Sequence, residues 1–237
     1  MNFDGVTAIQ IPEGNVKSIA IGGVTVWEAP VVDKYTWDAV FASIDKGTYA
    51  TEYAIGDMVP LDLGDEGLIN MQIAAFDTDD LADGSGKAPI TWIAKELLAT
   101  MHRMHDGTSL TDYWAASEMR SYLKSTIKPM IPELVRNAIV EIKKLNHTAS
   151  GEAYETEDVW IPKFYGELCT GRDIAKYLTL FPDDGSRKKC IVGSTTVIEW
   201  WTRGRYNNTR NYAVDTYGEP FTPENRVAYG VCLCFCT

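Results

Sequence analysis

Arg203, Arg205, Tyr206, Asn207, Asn208, Arg210, Asn211 and Tyr212 crowd into one short stretch near the C-terminus. Guanidinium forks hold carboxylates or phosphates in paired hydrogen bonds. Tyrosine offers a broad ring with a polar tip for stacking. Asparagine presents a donor and an acceptor to hydroxyls or amides. This is binding chemistry, and it is the composition of hot spots and binding loops; a plain solvated loop would carry more Lys, Glu, Ser and Gly. Trp201 opens the stretch, and Asp215, Tyr217, Glu219, Asn225 and Arg226 continue it. Together these residues form the predicted ligand-binding set, with Arg203, Arg205 and Arg210 as anion holders and Trp201, Tyr206, Tyr212 and Tyr217 as stacking surfaces.

Other reactive side chains offer less. Glu199, beside Trp200, would have its pKa raised by burial and serve as a glycosidase-type acid if Asp215, Glu219 or Glu224 supplied a second carboxylate. The competing reading pairs it with Arg203 or Arg120. There is no GxSxG elbow, HExxH, Walker A loop or GxGxxG, so the expectation is a protein that is not an enzyme. His102 and His105 lack a carboxylate–histidine motif to complete a metal site and read as surface histidines. In the acidic stretch Asp77–Gly84, Leu81 interrupts the alternating oxygen ligands of a calcium loop and no glutamate closes it, which leaves a solvated loop. Cys232, Cys234 and Cys236 alternate along one strand, too far apart for ordinary disulfide geometry and without zinc spacing. They read as small core hydrophobes, and free thiols point to a reducing compartment. No cofactor and no metal are expected.

Bulk charge narrows the partners. With a net charge of −11, the surface repels phosphate backbones, which excludes nucleic acid. The N-terminus lacks a basic start and an apolar run, so no signal peptide is expected. No stretch approaches the roughly 18 apolar residues of a membrane span.

The elements that must position these residues follow from pattern. Val6–Ile11, VKSIAI and VTVWEA, with Gly22-Gly23 as a hairpin turn, predict a small β unit over residues 1–33, joined by Pro30–Lys34 to a main domain over residues 34–237. Three strands alone are marginal, so this unit is expected to attach or oligomerise the chain. Thr36 and Gly47 cap a helix carrying Trp37, Val40, Phe41 and Ile44 on one face. Strands are predicted near 53–63 and 68–76 around a Gly64–Gly67 turn. Residues 90–104 read as strand continuing into helix, Thr111–Leu145 as a helical region broken at Pro129 and Pro132, and 146–157 as a polar loop. Asp158–Pro162 reads as a short strand. Val231, Leu233 and Phe235 alternate with the three cysteines, which predicts a terminal strand buried on both faces. By the same rule, Trp200 and Trp201 should point to opposite sides, one into the core and one beside the loop.

A longer pattern resembles a known family. Trp114, Ser117, Met119, Arg120, Tyr122 and Leu123 (W-x-x-S-x-M-R-x-Y-L) are followed by Ile142 and Lys143, by Asp158 and Trp160, by Trp200, Trp201 and Arg203, and by a Gly230, Val231, Phe235, Cys236 ending. Over residues 36–237 this resembles a domain of uncharacterised function in gut Gram-positive bacteria and their phages. That family is similar to the C-type-lectin-like fold shared by formylglycine-generating enzymes and retroelement-diversified phage variable proteins. IPEGNVKSIAIGGVTVW looks like the small β appendages of phage tail proteins. The resemblance implies an α+β, C-type-lectin-like fold: a mixed antiparallel sheet with flanking helices, preceded by the N-terminal β unit. It also implies a phage or prophage virion protein assembled in the bacterial cytoplasm. Such a protein would display a variable-type surface to a host cell-surface protein or glycan and contact other tail proteins through residues 1–33, with homo-oligomerisation as an option. Two departures matter. Glu219-Pro220 is followed by Phe221 where sugar-binding C-type lectins carry a Glu-Pro-Asn calcium motif, and the cysteine ladder does not reproduce the oxidase's cysteine pair. The alternatives are a carbohydrate-active enzyme built on Glu199 and a purely structural virion protein.

Overall fold

A computed structural model describes residues 33–107, 113–170 and 178–237, and the backbone of 18–21 and 24–28. The chain forms two compact units, Met1–Lys34 and Tyr35–Thr237. In the first, β1 (Ser18–Ile21) pairs antiparallel with β2 (Val24–Glu28). The expected strand Val6–Ile11, the Gly22-Gly23 turn, Pro30–Val32 and the helix start at Thr111 lie outside the described residues.

The second unit is mixed α+β, with few helices and mostly antiparallel sheet. Helix α1 (Trp37–Lys46) forms as predicted. The Thr36 hydroxyl accepts the Ala39 N–H at 3.3 Å, and Gly47 closes the helix at φ 69° with its N–H on Ile44. α2 (Tyr49–Glu52) follows, then β3 (Met58–Asp62) and β4 (Leu68–Phe76), joined by the expected glycine-bounded turn. β5 (Ile90–Ala94) is buried along its whole length. No helix follows it, contrary to the sequence pattern, because the next backbone groups are taken by distant segments. The N–H of Leu97 bonds Cys190 O and that of Leu98 bonds Val231 O. The chain then reaches β6 (His102–Arg103).

The helical region is shorter than the pattern predicts. Ser117 caps α3 (Glu118–Tyr122), a π-type turn spans Leu123–Ile127, and α4 (Lys128–Met130) carries Pro129 in its first turn without a break. The break falls at Ile131, which is extended (ψ 128°) ahead of Pro132, as the residue before a proline prefers. α5 (Glu133–Ala138) ends at Ile139, so Ile142, Lys143 and Lys144 are not helical. They begin β7 (Ile142–Thr148), which pairs in full register with β8 (Gly151–Glu157). The polar "loop" at 146–157 is therefore half of a hairpin. Its inward face is Ile142, Lys144 and Asn146, so two of the three inward residues are polar, and an apolar/polar alternation count misses the strand.

β9 (Val159–Trp160), β10 (Lys189–Cys190) and β11 (Val197–Ile198) are short. β12 (Trp200–Asn207) and β13 (Arg210–Val214) form a second hairpin, extended by β14 (Pro220–Phe221). The predicted displayed loop over 203–212 is thus strand, turning at Asn208-Thr209. β15 (Ala228–Tyr229) pairs with β6, and β16 (Cys234–Cys236) ends the chain. The main sheet runs β3-β4-β5-β16-β9. β16 lies between β5 and β9, with Phe235 opposite both Trp92 and Val159.

The faces of this sheet differ in chemistry. On one, Trp37 of α1 packs against Trp92 and Phe235 at centroid distances of 4.9 and 6.0 Å. On the other, Cys236 Sγ sits 3.6 Å from an Asp79 carboxylate oxygen, beside a buried ion network. Trp92, Trp114, Trp160, Trp200 and Trp201 are fully buried, each contributing on the order of 5 kcal/mol of apolar burial before entropic costs. Trp200 and Trp201 do diverge: one indole N–H bonds Arg187 O at 3.1 Å, the other His102 O at 3.0 Å. Both are inaccessible, because both sides of β12 are covered. That corrects the expectation that one flanks the binding surface.

Candidate functional site

The β7–β8 hairpin, residues 203–205 and Tyr212 of the β12–β13 hairpin, Lys163 and the Phe164–Leu168 turn enclose a cleft of about 710 Å³. The floor is made of charge. Lys144 Nζ lies 2.7 Å from Asp79 Oδ1 and 3.1 Å from Glu167 Oε1. Arg203 meets Glu167 as a bidentate fork, both bonds 2.7 Å, and its Nε donates to Asn146 Oδ1 at 2.8 Å. Glu167 also accepts the Lys163 backbone N–H at 2.7 Å.

All of these groups are buried, and their titration reflects both burial and pairing. Burial alone would raise the Glu167 pKa, but Arg203 and Lys144 outweigh it and hold the carboxyl far below its usual range. Burial would likewise lower Lys144, but Asp79 and Glu167 outweigh it and raise its pKa. The floor is therefore two locked cations against two locked anions, rigid because each charge depends on the others.

The walls are open to ligand. Tyr165 and Tyr212 meet edge-to-face at 5.2 Å, and Tyr206 continues the ladder to Tyr212 at 5.7 Å. Lys163 Nζ donates to Glu152 Oε1 at 3.1 Å and to Leu145 O at 3.4 Å. The Arg205 guanidinium lies 3.7 Å over the Tyr113 ring and donates to Asn208 Oδ1 at 2.6 Å. Burial first, then the nearby Lys163 charge and, against Glu152, that of Arg205, push the His147 pKa down.

The predicted ligand-binding set is divided by the fold. Arg205 and Tyr212 line the cleft, and Tyr206, 56% exposed, stands beside it. Asn207 and Asn208 are exposed at the hairpin tip. Trp201, Asn211 and Asn225 are buried outside the cleft lining, and Arg203 lies in the cleft floor at 5% exposure. Arg203, expected to hold a ligand anion, holds Glu167, and the Asn211 amide donates to Arg203 O at 3.5 Å. The remainder lies away from the cleft lining. Arg210 donates to Thr222 O at 2.7 Å, Arg226 pairs with Glu224 at 2.7 Å, and Asp215 accepts the N–H groups of Tyr217 and Glu219. Glu199 pairs with neither expected arginine, since Arg203 is on Glu167 and Arg120 on Glu157. Asp215 and Glu224, two of its expected carboxylate partners, are engaged in those local contacts.

Several cleft residues went unpredicted: Lys143, Lys144, His147, Glu152, Lys163 and Tyr165. No apolar alternation in IKKLNHT or GEAYETE marks the hairpin that carries the first four, because its inward positions include Lys144 and Asn146. The acidic stretch is not simply solvated either, since Asp79 is buried and bonds Lys144 and Thr91. His105, Asp106 and Glu118 bring ligand-type atoms within 4.8 Å of one another. Arg103 already engages both Glu118 oxygens, at 2.6 and 3.2 Å.

Residues of the family-like pattern build the scaffold. Trp114 Nε1 and Arg120 Nε both donate to Glu157 Oε1, at 2.8 and 3.0 Å, Ser117 caps α3, and Tyr122 Oη donates to Glu66 at 2.8 Å. Comparison with known proteins finds no family model, curated protein or solved structure that matches the chain, so the reading of the cleft rests on its own geometry.

Proposed function

We propose that this chain is a non-enzymatic binding protein whose cleft and adjoining β12–β13 hairpin tip receive a ligand on a host cell surface. It would serve as a tail-tip or receptor-binding component encoded by a phage or prophage, on a C-type-lectin-like scaffold, with residues 1–33 contacting other tail proteins. The observation that carries the binding reading is a concave site lined by a tyrosine ladder and by Lys163, Arg205 and His147, on two hairpins rooted in a locked ion network. Pre-organised walls lower the ordering cost of association, and aromatic and arginine side chains dominate binding energy. The virion role draws its support from the sequence pattern and from the separate N-terminal unit.

The test is adsorption of fluorescently labelled protein to candidate host cells, measured by flow cytometry. Combined replacement of Arg205, Tyr206 and Lys163 by alanine is expected to reduce adsorption at least about tenfold while the protein still melts cooperatively. Tyr206 is exposed, and the Lys163 side chain, 15% exposed, pairs with the surface Glu152 and not with the Arg203–Glu167–Lys144 floor, so that the summed cost is about 1–3 kcal/mol. Unchanged adsorption by a folded variant would move the site elsewhere.

A further inference from the structure

We infer that the cleft takes an anionic saccharide, a sugar ring carrying a carboxylate or phosphate. The anion would lie at the end formed by His147, Lys163 and Arg205, and the ring against Tyr165 and Tyr212. This inference rests on the cleft being the binding site.

Charge is the first support. The chain carries −11, yet the cleft is locally cationic. Lys144 and Arg203 are neutralised by Asp79 and Glu167 in the floor. What remains at the opening is Lys143, Lys163 and Arg205 against Glu152. A concave site with an excess of one sign of charge concentrates ligands of the other, and with Glu152 paired to Lys163 a neutral ligand would leave the excess at Lys143 and Arg205 unbalanced. The rest of an acidic surface repels anions, so the contrast steers them to this opening.

Unpartnered polar atoms are the second support. Arg205 Nε and His147 Nδ1 are buried atoms with no hydrogen-bond partner among the described residues. Buried polar groups without partners are costly and uncommon. The two belong to side chains lining the same cleft, and oxygens of one anionic ligand can accept from Arg205 Nε and, in the tautomer that carries its proton on Nδ1, from His147.

The nature of the apolar lining is the third. Glycines aside, Leu145 is the one aliphatic side chain among the described lining residues; the remaining apolar surface is the rings of Tyr154, Tyr165 and Tyr212. An aliphatic peptide side chain or an acyl chain would find no aliphatic pocket. A sugar presents C–H faces to aromatic rings and hydroxyls to polar edges, which matches tyrosines interleaved with Glu152, Lys163 and backbone. A volume of about 710 Å³ lies within the range of small-molecule sites.

The experiment is isothermal titration calorimetry of the full chain with matched pairs: oligogalacturonate and galacto-oligosaccharide, sialyllactose and lactose, glucose-1-phosphate and glucose, with polyglutamate as an acidic peptide. At least one anionic member is expected to bind at least tenfold more tightly than its neutral counterpart and to weaken with added salt. The pairs separate carboxylate from phosphate. Lys163→Gln with Arg205→Gln should abolish that preference while the melting temperature holds, and Arg226→Gln should leave it intact. Equal affinity for neutral and anionic members overturns the inference, as does polyglutamate binding more tightly than every saccharide. If no anionic saccharide binds while labelled protein still adsorbs to cells through Arg205 and Tyr206, the ligand class is wrong and the binding reading stands. If cell adsorption ignores the cleft variants as well, both fall.

Discussion

Arg203 and Arg205 are the same residue two positions apart on one strand, and the fold gives them opposite work. Arg203 is buried on Glu167, so Arg203→Ala strands a carboxylate in the interior and is expected to cost about 3–5 kcal/mol. Tyr206→Ala and Asn208→Ala, at exposed positions, should each stay within about 0.5 kcal/mol. Urea denaturation midpoints measure the contrast, and equal losses would contradict the assignment. Asp158 supplies a pH test. Burial would raise its pKa, but the Lys128 hydrogen bond at 2.6 Å and the Lys124 charge outweigh that and lower it to about 2. A depressed carboxyl pKa contributes stability above the unfolded value, and the contribution is lost as pH falls from about 4 toward about 2. The shift corresponds to about 2 kcal/mol. The stability gap between wild type and Asp158→Asn should therefore be near that size at pH 6 and shrink toward zero at pH 2.5; a gap that ignores pH would contradict the ion-pair account.

Among the elements, β12 is the one whose surroundings override its pattern. Its register with β13 slips between Trp201 and Arg205 and again between Arg205 and Asn207, as bulged strands do, and both of its sides are covered near Trp200 and Trp201. Trp200→Ala and Trp201→Ala should accordingly each cost about 3–5 kcal/mol, read from thermal or urea melts; a small loss at Trp201 would restore it to the surface. The turn after β13 is equally constrained. Gly218 adopts φ +89°, and a Cβ there would stand 1.7 Å from Asp184 O. Gly218→Ala should cost at least the upper end of the about 1–3 kcal/mol typical of overpacking, measured in the same way. A neutral substitution would mean that this turn is not held against residues 184–187.

At the scale of the molecule, the two units suggest a division of labour. The unit from Tyr35 onward has its own core and main sheet, and the preceding unit is small. Removal of residues 1–34 is expected to leave a cooperatively melting monomer by light scattering; a truncated chain that kept the full-length oligomeric mass would place self-association in the larger unit. Among the described residues, no helix is long and apolar enough to cross a membrane.

What the sequence determined by itself was whatever local chemistry enforces. Thr36 and Gly47 bound α1 because cap geometry is decided within a few residues. The alternation of Val231, Leu233 and Phe235 with the cysteines marked a segment buried on both faces, although only Cys234–Cys236 of it pairs as strand and Val231–Leu233 does not. The concentration of Arg, Asn and Tyr after Trp201 marked a segment that reaches the cleft through Arg203, Arg205 and Tyr212. Only the tertiary structure decided which arginine stays free. Arg203 meets Glu167 across 36 positions, and Lys144 meets Asp79 across 65. Periodicity says which side of a strand a residue faces and nothing of what covers that side. It also misread β7, because a strand that buries lysine and asparagine runs against the apolar pattern. Those residues are tolerable inside only because distant carboxylates and an arginine arrive to pair them, and that arrival is a property of the assembled fold.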